Sequence, residues 1–83
     1  MSPVFHREEG YVFKVHSNEE ERKHIHVIKA ECEAKFWLEP EIELEWNEGF
    51  KSQELKKILN IIRTHGSDFK VLYTKHTAGR IDD

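Results

Sequence analysis

The chain predicts a small α+β domain: an antiparallel sheet of three to four strands packed against one long amphipathic helix, with a second short C-terminal helix as an optional addition. Three observations predict it. Apolar and polar residues alternate in short segments between residues 11 and 46, and a period of two is the strand signature. Leu55, Ile58, Leu59 and Ile62 recur at i, i+3, i+4 and i+7, the stripe of a helix with one buried side. With 83 residues, 37% of them apolar, there is material for one domain whose thin core covers one face of a sheet.

The elements follow in order. Met1–Gly10 is polar and reads as a loosely held arm. In Tyr11–His16, Tyr11, Phe13 and Val15 share one face and Val12, Lys14 and His16 the other. Ser17–Lys23 is a charged loop that opens on two turn formers and carries three successive glutamates. His24–Lys29 is the second strand, with Ile25 and Val27 on one side and His24, His26 and Ile28 on the other. Ala30–Glu33 has neither Gly nor Asn, so a longer loop or a bulge is expected rather than a tight primed turn. Ala34–Leu38 is the third strand, and Pro40 helps to end it. In Ile42–Trp46, Ile42, Leu44 and Trp46 alternate with Glu41, Glu43 and Glu45. That reads as a half-buried strand with carboxylates guarding its outer side.

Asn47–Gly49 is a turn. Ser52 suits the N-cap of the helix, and Glu54 sits in the first turn, where the helix dipole favours an anion. Ile61 widens the stripe, while Lys56, Lys57, Asn60 and Arg63 hold the wet side. His65 closes the last turn and Gly66 takes the C′ position. Beyond it, Ser67 can cap a second short helix carrying Phe69, Leu72 and Tyr73. Phe69–Thr74 also reads as a strand, and the helix is preferred. Residues 1–10 are thus an arm, 11–76 the domain and 77–83 a tail.

Composition excludes several classes. No apolar run approaches the roughly 20 residues of a membrane span. The first residues lack the basic start and apolar run of a secretion signal. Cys32 is the single cysteine, so no internal disulfide forms, and a reducing cytoplasm is expected. Residues 1–50 carry 12 acidic and 6 basic side chains, and residues 51–83 carry 4 and 7. The basic half most simply meets the chain's own acidic half. Its scattered cations lack the clustered footprint of a nucleic-acid binder, so nucleic acid is not the expected partner.

The one ligand-like spacing is His24-x-His26. Two residues apart on a strand, both imidazoles leave the same face and could share an ion such as zinc. A hairpin centred on Glu20 would place Lys14 opposite His26 and His16 opposite His24. A metal centre needs a third protein ligand, and His16 or Glu39 is the candidate. Without one, a hydrogen-bonded histidine pair is the simpler reading, and no cofactor is expected. The candidate binding face is therefore His16, His24, His26, Lys14 and Lys35, with Phe36 exposed beside them. Glu39, Glu41, Glu43 and Glu45 read as a solvated edge. Cys32 has no neighbouring base that would make it a nucleophile. There is no Gly-rich phosphate loop and no nucleophile elbow.

From Tyr11 to His65 the motifs line up with a known family. They are Ser17-Asn18-Glu19, His24-x-His26-Val27, Ala34-Lys35-Phe36-Trp37-Leu38-Glu39-Pro40, Asn47-x-Gly49-Phe50, Glu54-Leu55 and Ile58…Ile61-Ile62…His65. In order and combination the chain resembles the small bacterial proteins of domain-of-unknown-function family 4160. The family commonly has prolines before the histidine pair, where this chain has Arg22-Lys23. Its C-terminal part continues as a helix with a tryptophan, which Gly66–Asp83 does not match. The resemblance implies a compact α+β domain and a role beside a second small protein from a neighbouring gene, as in toxin–antitoxin modules.

Three functions are therefore expected in order. The first is a non-enzymatic protein that binds its cognate partner through the histidine face, with homo-oligomerisation open. The second is a small metal-dependent hydrolase or nuclease on His16, His24 and His26. The third is nucleic-acid binding through Lys51, Lys56, Lys57 and Arg63.

Overall fold

The computed structural model describes residues 4–15 and 22–81, with the backbone alone for 77–81. Five strands precede one helix: β1 (Val4–Glu8), β2 (Tyr11–Lys14), β3 (His24–Lys29), β4 (Cys32–Trp37), β5 (Glu43–Glu48) and α1 (Ser52–Ile81). Their order in the antiparallel sheet is their order in sequence, β1-β2-β3-β4-β5. The α+β class is as the sequence predicts, but among the described residues the sheet has one strand more than its upper expectation, and the segment expected as a second helix is part of α1.

The extra strand comes from residues expected to be an arm. Glu9 and Gly10 form a two-residue connection, with φ of +51° and +84°, between the paired residues Glu8 and Tyr11. Positive φ at both positions is the primed geometry that matches strand twist. A second tight turn joins β3 to β4. Lys29 pairs directly with Cys32, and Ala30 takes φ +54°. The expected longer loop is absent because Ala30 tolerates the left-handed region without glycine, at a cost of order 1–3 kcal/mol that the flanking ladder over-determines.

The buried face is the one the alternation assigns. Tyr11, Phe13, Val15, Ile25 and Val27 are all 2% exposed or less. Ala34, Phe36 and Leu38 continue the same layer from β4, and α1 covers it with Ile58, Ile61, Ile62, Phe69 and Tyr73. At the entry to α1, Asn47 accepts the N–H of Phe50 (3.1 Å) and donates to its carbonyl (3.0 Å). The Tyr11 hydroxyl donates to Glu54 at 3.4 Å, tying the first turn of α1 to β2.

β5 departs from its expected pattern. Lys35 pairs with Trp46 but Phe36 pairs with Leu44, so Glu45 is an extra residue in a β-bulge. Leu44 and Trp46 therefore lie on opposite faces, not on one. Leu44 falls on the α1 side but beyond the core, 45% exposed, and Ile42, just outside the strand, packs against the core instead.

α1 does not stop at Gly66. It runs unbroken for 30 residues, about 45 Å at 1.5 Å per residue, and includes the segment that resembles a tail. The stripe continues through Ile58, Ile62, Gly66, Phe69 and Tyr73, with Gly66 buried where Ile42 of the β4–β5 connection comes close. A Cβ on Gly66 would meet Ile42 Cδ1 at 3.7 Å, an ordinary contact. Gly66→Ala is accordingly expected to stabilise the protein by about 0.5–1 kcal/mol, because alanine costs less backbone entropy in a helix interior. A thermal melt followed by circular dichroism should show a rise of about 4–8 °C per kcal/mol. A residue acting as a left-handed C′ would give a fall instead.

Candidate functional site

The registers place two clusters of functional side chains on opposite sides of the sheet. The first lies on the face turned away from the core. Lys14 pairs with His26, His26 with Lys35 and Lys35 with Trp46, making one row across four strands. His24 pairs with Trp37 in the next row. A third row runs Arg7, Val12, Ile28, Glu33 and Glu48 across all five strands. The expected pairing of Lys14 with His26 is thus present. His16, expected opposite His24, lies outside the described residues, as does most of the charged loop.

The centre of this face is covered rather than open. His24 is 3% exposed, and His26 and Lys35 are each 7% exposed. His26 sits edge-on to Trp46 at 5.9 Å, and its Nδ1 donates to Glu33 at 3.0 Å. His24 is edge-on to His26, Trp37 and Tyr73 at 5.4, 5.8 and 5.4 Å. Tyr73 comes from the far end of α1, so the helix reaches one of the imidazoles expected to be free. The His24 Nδ1 donates to the Arg22 carbonyl at 3.0 Å. The solvent side of this face is formed by Trp37, partly exposed, with the Arg22 guanidinium 4.2 Å and the Lys35 ammonium 4.4 Å from its ring centre. Its indole N–H donates to Glu45 at 2.7 Å.

Phe36 does not belong to this face. It is 2% exposed within the core, next to Lys35 and hence on the other side of the strand. The tight turn at Ala30 fixes the parity of β4, so Ala34, Phe36 and Leu38 face α1 while Glu33, Lys35 and Trp37 face away. Among the described residues, Glu39 does not converge on His24 and His26 as a third ligand, and its carboxylate lies 3.5 Å from the Lys23 ammonium.

The second cluster was missed by sequence reading. β1 is an edge strand, and its pairing His6↔Phe13 and Glu8↔Tyr11 turns both side chains towards α1. There they meet His65. The His6 Nε2 donates to Glu8 Oε1 at 2.8 Å, and the His65 Nε2 lies 3.5 Å from the same oxygen. The two imidazole centroids are 4.3 Å apart. Chiefly the hydrogen bond from His6 holds the Glu8 carboxyl below its usual range, with the charges of both imidazoles adding to it. Side-chain exposures of 27%, 38% and 30% for His6, Glu8 and His65 leave the group half-open.

A bulge builds this corner. The register shifts between Val4 and His6, so Phe5 and His6, neighbours in sequence, both turn to Phe69, with ring centres at 6.4 and 6.0 Å. Cavities of about 350 and 210 Å³ open on either side, meeting at His65. Asp68 lines the larger one and Lys57 the smaller. The available signal was His6-x-Glu8, a same-face pair on any strand. It was hidden because the surrounding residues read as an arm.

No helix among the described residues is long and apolar enough to cross a membrane. Comparison with curated proteins and with solved structures finds no match. A family model described as a domain of unknown function does match residues 10–73. That span holds β2 to β5, the sheet-face row and His65, and leaves His6 and Glu8 outside it. The chain, with the antiparallel meander and single helix just described, belongs to the domain-of-unknown-function family DUF4160.

Proposed function

We propose that this chain is a protein-binding component of a bacterial two-gene, toxin–antitoxin-like module, and that it meets a small cognate protein from a neighbouring gene through the sheet face turned away from α1. The observation that carries the reading is Trp37 between two cations. A partly exposed indole beside Arg22 and Lys35, one row from Lys14 and Trp46, is the residue mixture of interface hot spots. Arg22 at its ring and Lys14 in the adjoining row favour a partner that presents carboxylates. The buried imidazoles beneath would act as a rigid floor and would not themselves touch the partner.

The alternatives have less support. Of the hydrolase centre expected on His16, His24 and His26, His24 and His26 are covered and hydrogen-bonded, and His16 lies outside the described residues. The basic helix face, Lys51, Lys56, Lys57 and Arg63, is exposed, but Lys57 shares its cavity with Glu8 and Glu9.

Co-expression with the neighbouring gene product should yield a complex that survives purification. Trp37→Ala with Lys14→Glu is expected to weaken it by about 10- to 100-fold in calorimetry, the scale of a hot-spot loss. Both positions leave the core intact, unlike His24 and His26. An unchanged Kd in a normally folded variant would reject this surface, and no complex at all would reject the reading.

A further inference from the structure

We propose that His6, Glu8 and His65 form a transition-metal site, and that zinc is the ion its donors suit. This rests on the corner between β1 and α1 and not on the partner-binding face.

The donor chemistry comes first. Two imidazoles and one carboxylate are the borderline set that zinc takes at centres with three protein ligands, leaving one position for water or substrate. Among the described residues this is the only group of three or more such side chains whose ligand atoms converge, all within 4.8 Å of one another. Around a tetrahedral ion with bonds of about 2.0–2.2 Å, neighbouring ligand atoms sit roughly 3.3–3.6 Å apart. The His6–Glu8 and His65–Glu8 separations of 2.8 and 3.5 Å lie close to that spacing. Those two edges of the site need shifts of well under an ångström, and the third, between the two imidazole nitrogens, is no longer than 4.8 Å.

The scaffold also fits. The donors come from a strand and a helix, not from a loop, and their rings are wedged. His6 lies 5.7 Å from Phe13 and 6.0 Å from Phe69, and His65 lies 6.0 Å from Phe69. Packing of this kind limits the rotamers available to a ligand. His6 and His65 line the 350 Å³ cavity, where Asp68, three residues after His65 on α1, supplies a further acidic group. In the ion's absence, Glu8 accepts a hydrogen bond from His6 and lies 3.5 Å from the His65 Nε2. A bound ion would take the place of that hydrogen bond and bridge the edge strand to the helix directly, so binding and folding stability are coupled.

The test uses the full chain, stripped with a chelator and titrated with zinc chloride by calorimetry, with the histidine ring resonances followed by NMR. One equivalent should bind with a Kd of order micromolar or tighter, and the His6 and His65 rings should shift. Glu8→Gln, which keeps an acceptor for His6, and His65→Asn, which keeps a polar helix residue, should each weaken binding at least about tenfold, the scale on which metal sites respond to lost ligation. Zinc should raise the melting temperature of the native chain but not of His65→Asn. His76→Gln should bind like the native chain. No stoichiometric uptake at about 100 times a micromolar Kd would overturn the site. So would undiminished binding in both Glu8→Gln and His65→Asn, or a loss seen only when His24 and His26 are replaced.

Discussion

Phe69→Ala is expected to lower the unfolding free energy by about 3–5 kcal/mol, the range for emptying a buried phenylalanine site. Sequence periodicity leaves Phe69 in a segment of uncertain structure, yet it is 1% exposed and central to one end of the core. It stacks on Phe13 at 5.6 Å and touches Phe5, His6 and His65. The hole left by its ring could not be filled, because its neighbours are held by three separate elements. Domains of this size have about 5–15 kcal/mol in total, so the variant should melt far below the native chain or fail to fold at 37 °C. Val71→Ala is the control. Two residues on, Val71 is 53% exposed, and its truncation should stay within about 0.5 kcal/mol. Urea unfolding of the two variants decides the matter. Equal losses would mean that the second half of α1 does not dock on the sheet.

Gly49→Ala is expected to cost about 2–4 kcal/mol, combining backbone strain with a clash. Gly49 has φ +99° and lies against β4, so an added Cβ would come to 2.8 Å from the Cys32 Sγ and 3.6 Å from its Cα. The turn cannot shift to make room while Asn47 clasps Phe50 on both sides. A double-mutant cycle separates the two causes. Adding Cys32→Ala to Gly49→Ala removes the clashing sulfur, and whatever loss remains belongs to the positive φ. Chemical denaturation of the four proteins gives both terms. A fully additive cycle would show that the sulfur was never in the way.

Much of the fold was readable from residues 11–62 because burial there is one-sided. Each of Tyr11, Phe13, Val15, Ile25 and Val27 is apolar where α1 covers it, and each intervening residue is free to differ. The errors have physical causes. β1 was lost because His6 and Glu8 are polar on the side that meets α1, which reverses the usual pattern. β5 was misjudged because the bulge at Glu45 breaks the parity on which alternation depends. Gly66 looked like a helix stop because the sequence does not show Ile42 packed beside it, which makes a missing side chain useful. His24 and His26 lie on the face turned away from the core yet are buried there. Nothing local reveals that Trp37, Trp46 and Tyr73 would close over them. His65 was read as a terminal residue, so its meeting with Glu8, 57 positions earlier, had no sequence signal at all.

The meander has a kinetic consequence. Every strand bonds to its immediate predecessor and successor in the chain, so no pairing must wait for a distant segment to arrive. Closing loops of two to nine residues carries a small entropic barrier, and topologies rich in such local contacts cross their transition states quickly for mixed α/β chains. The sheet can zip hairpin by hairpin, leaving the docking of α1 as the step that converts a loose ribbon into the finished protein.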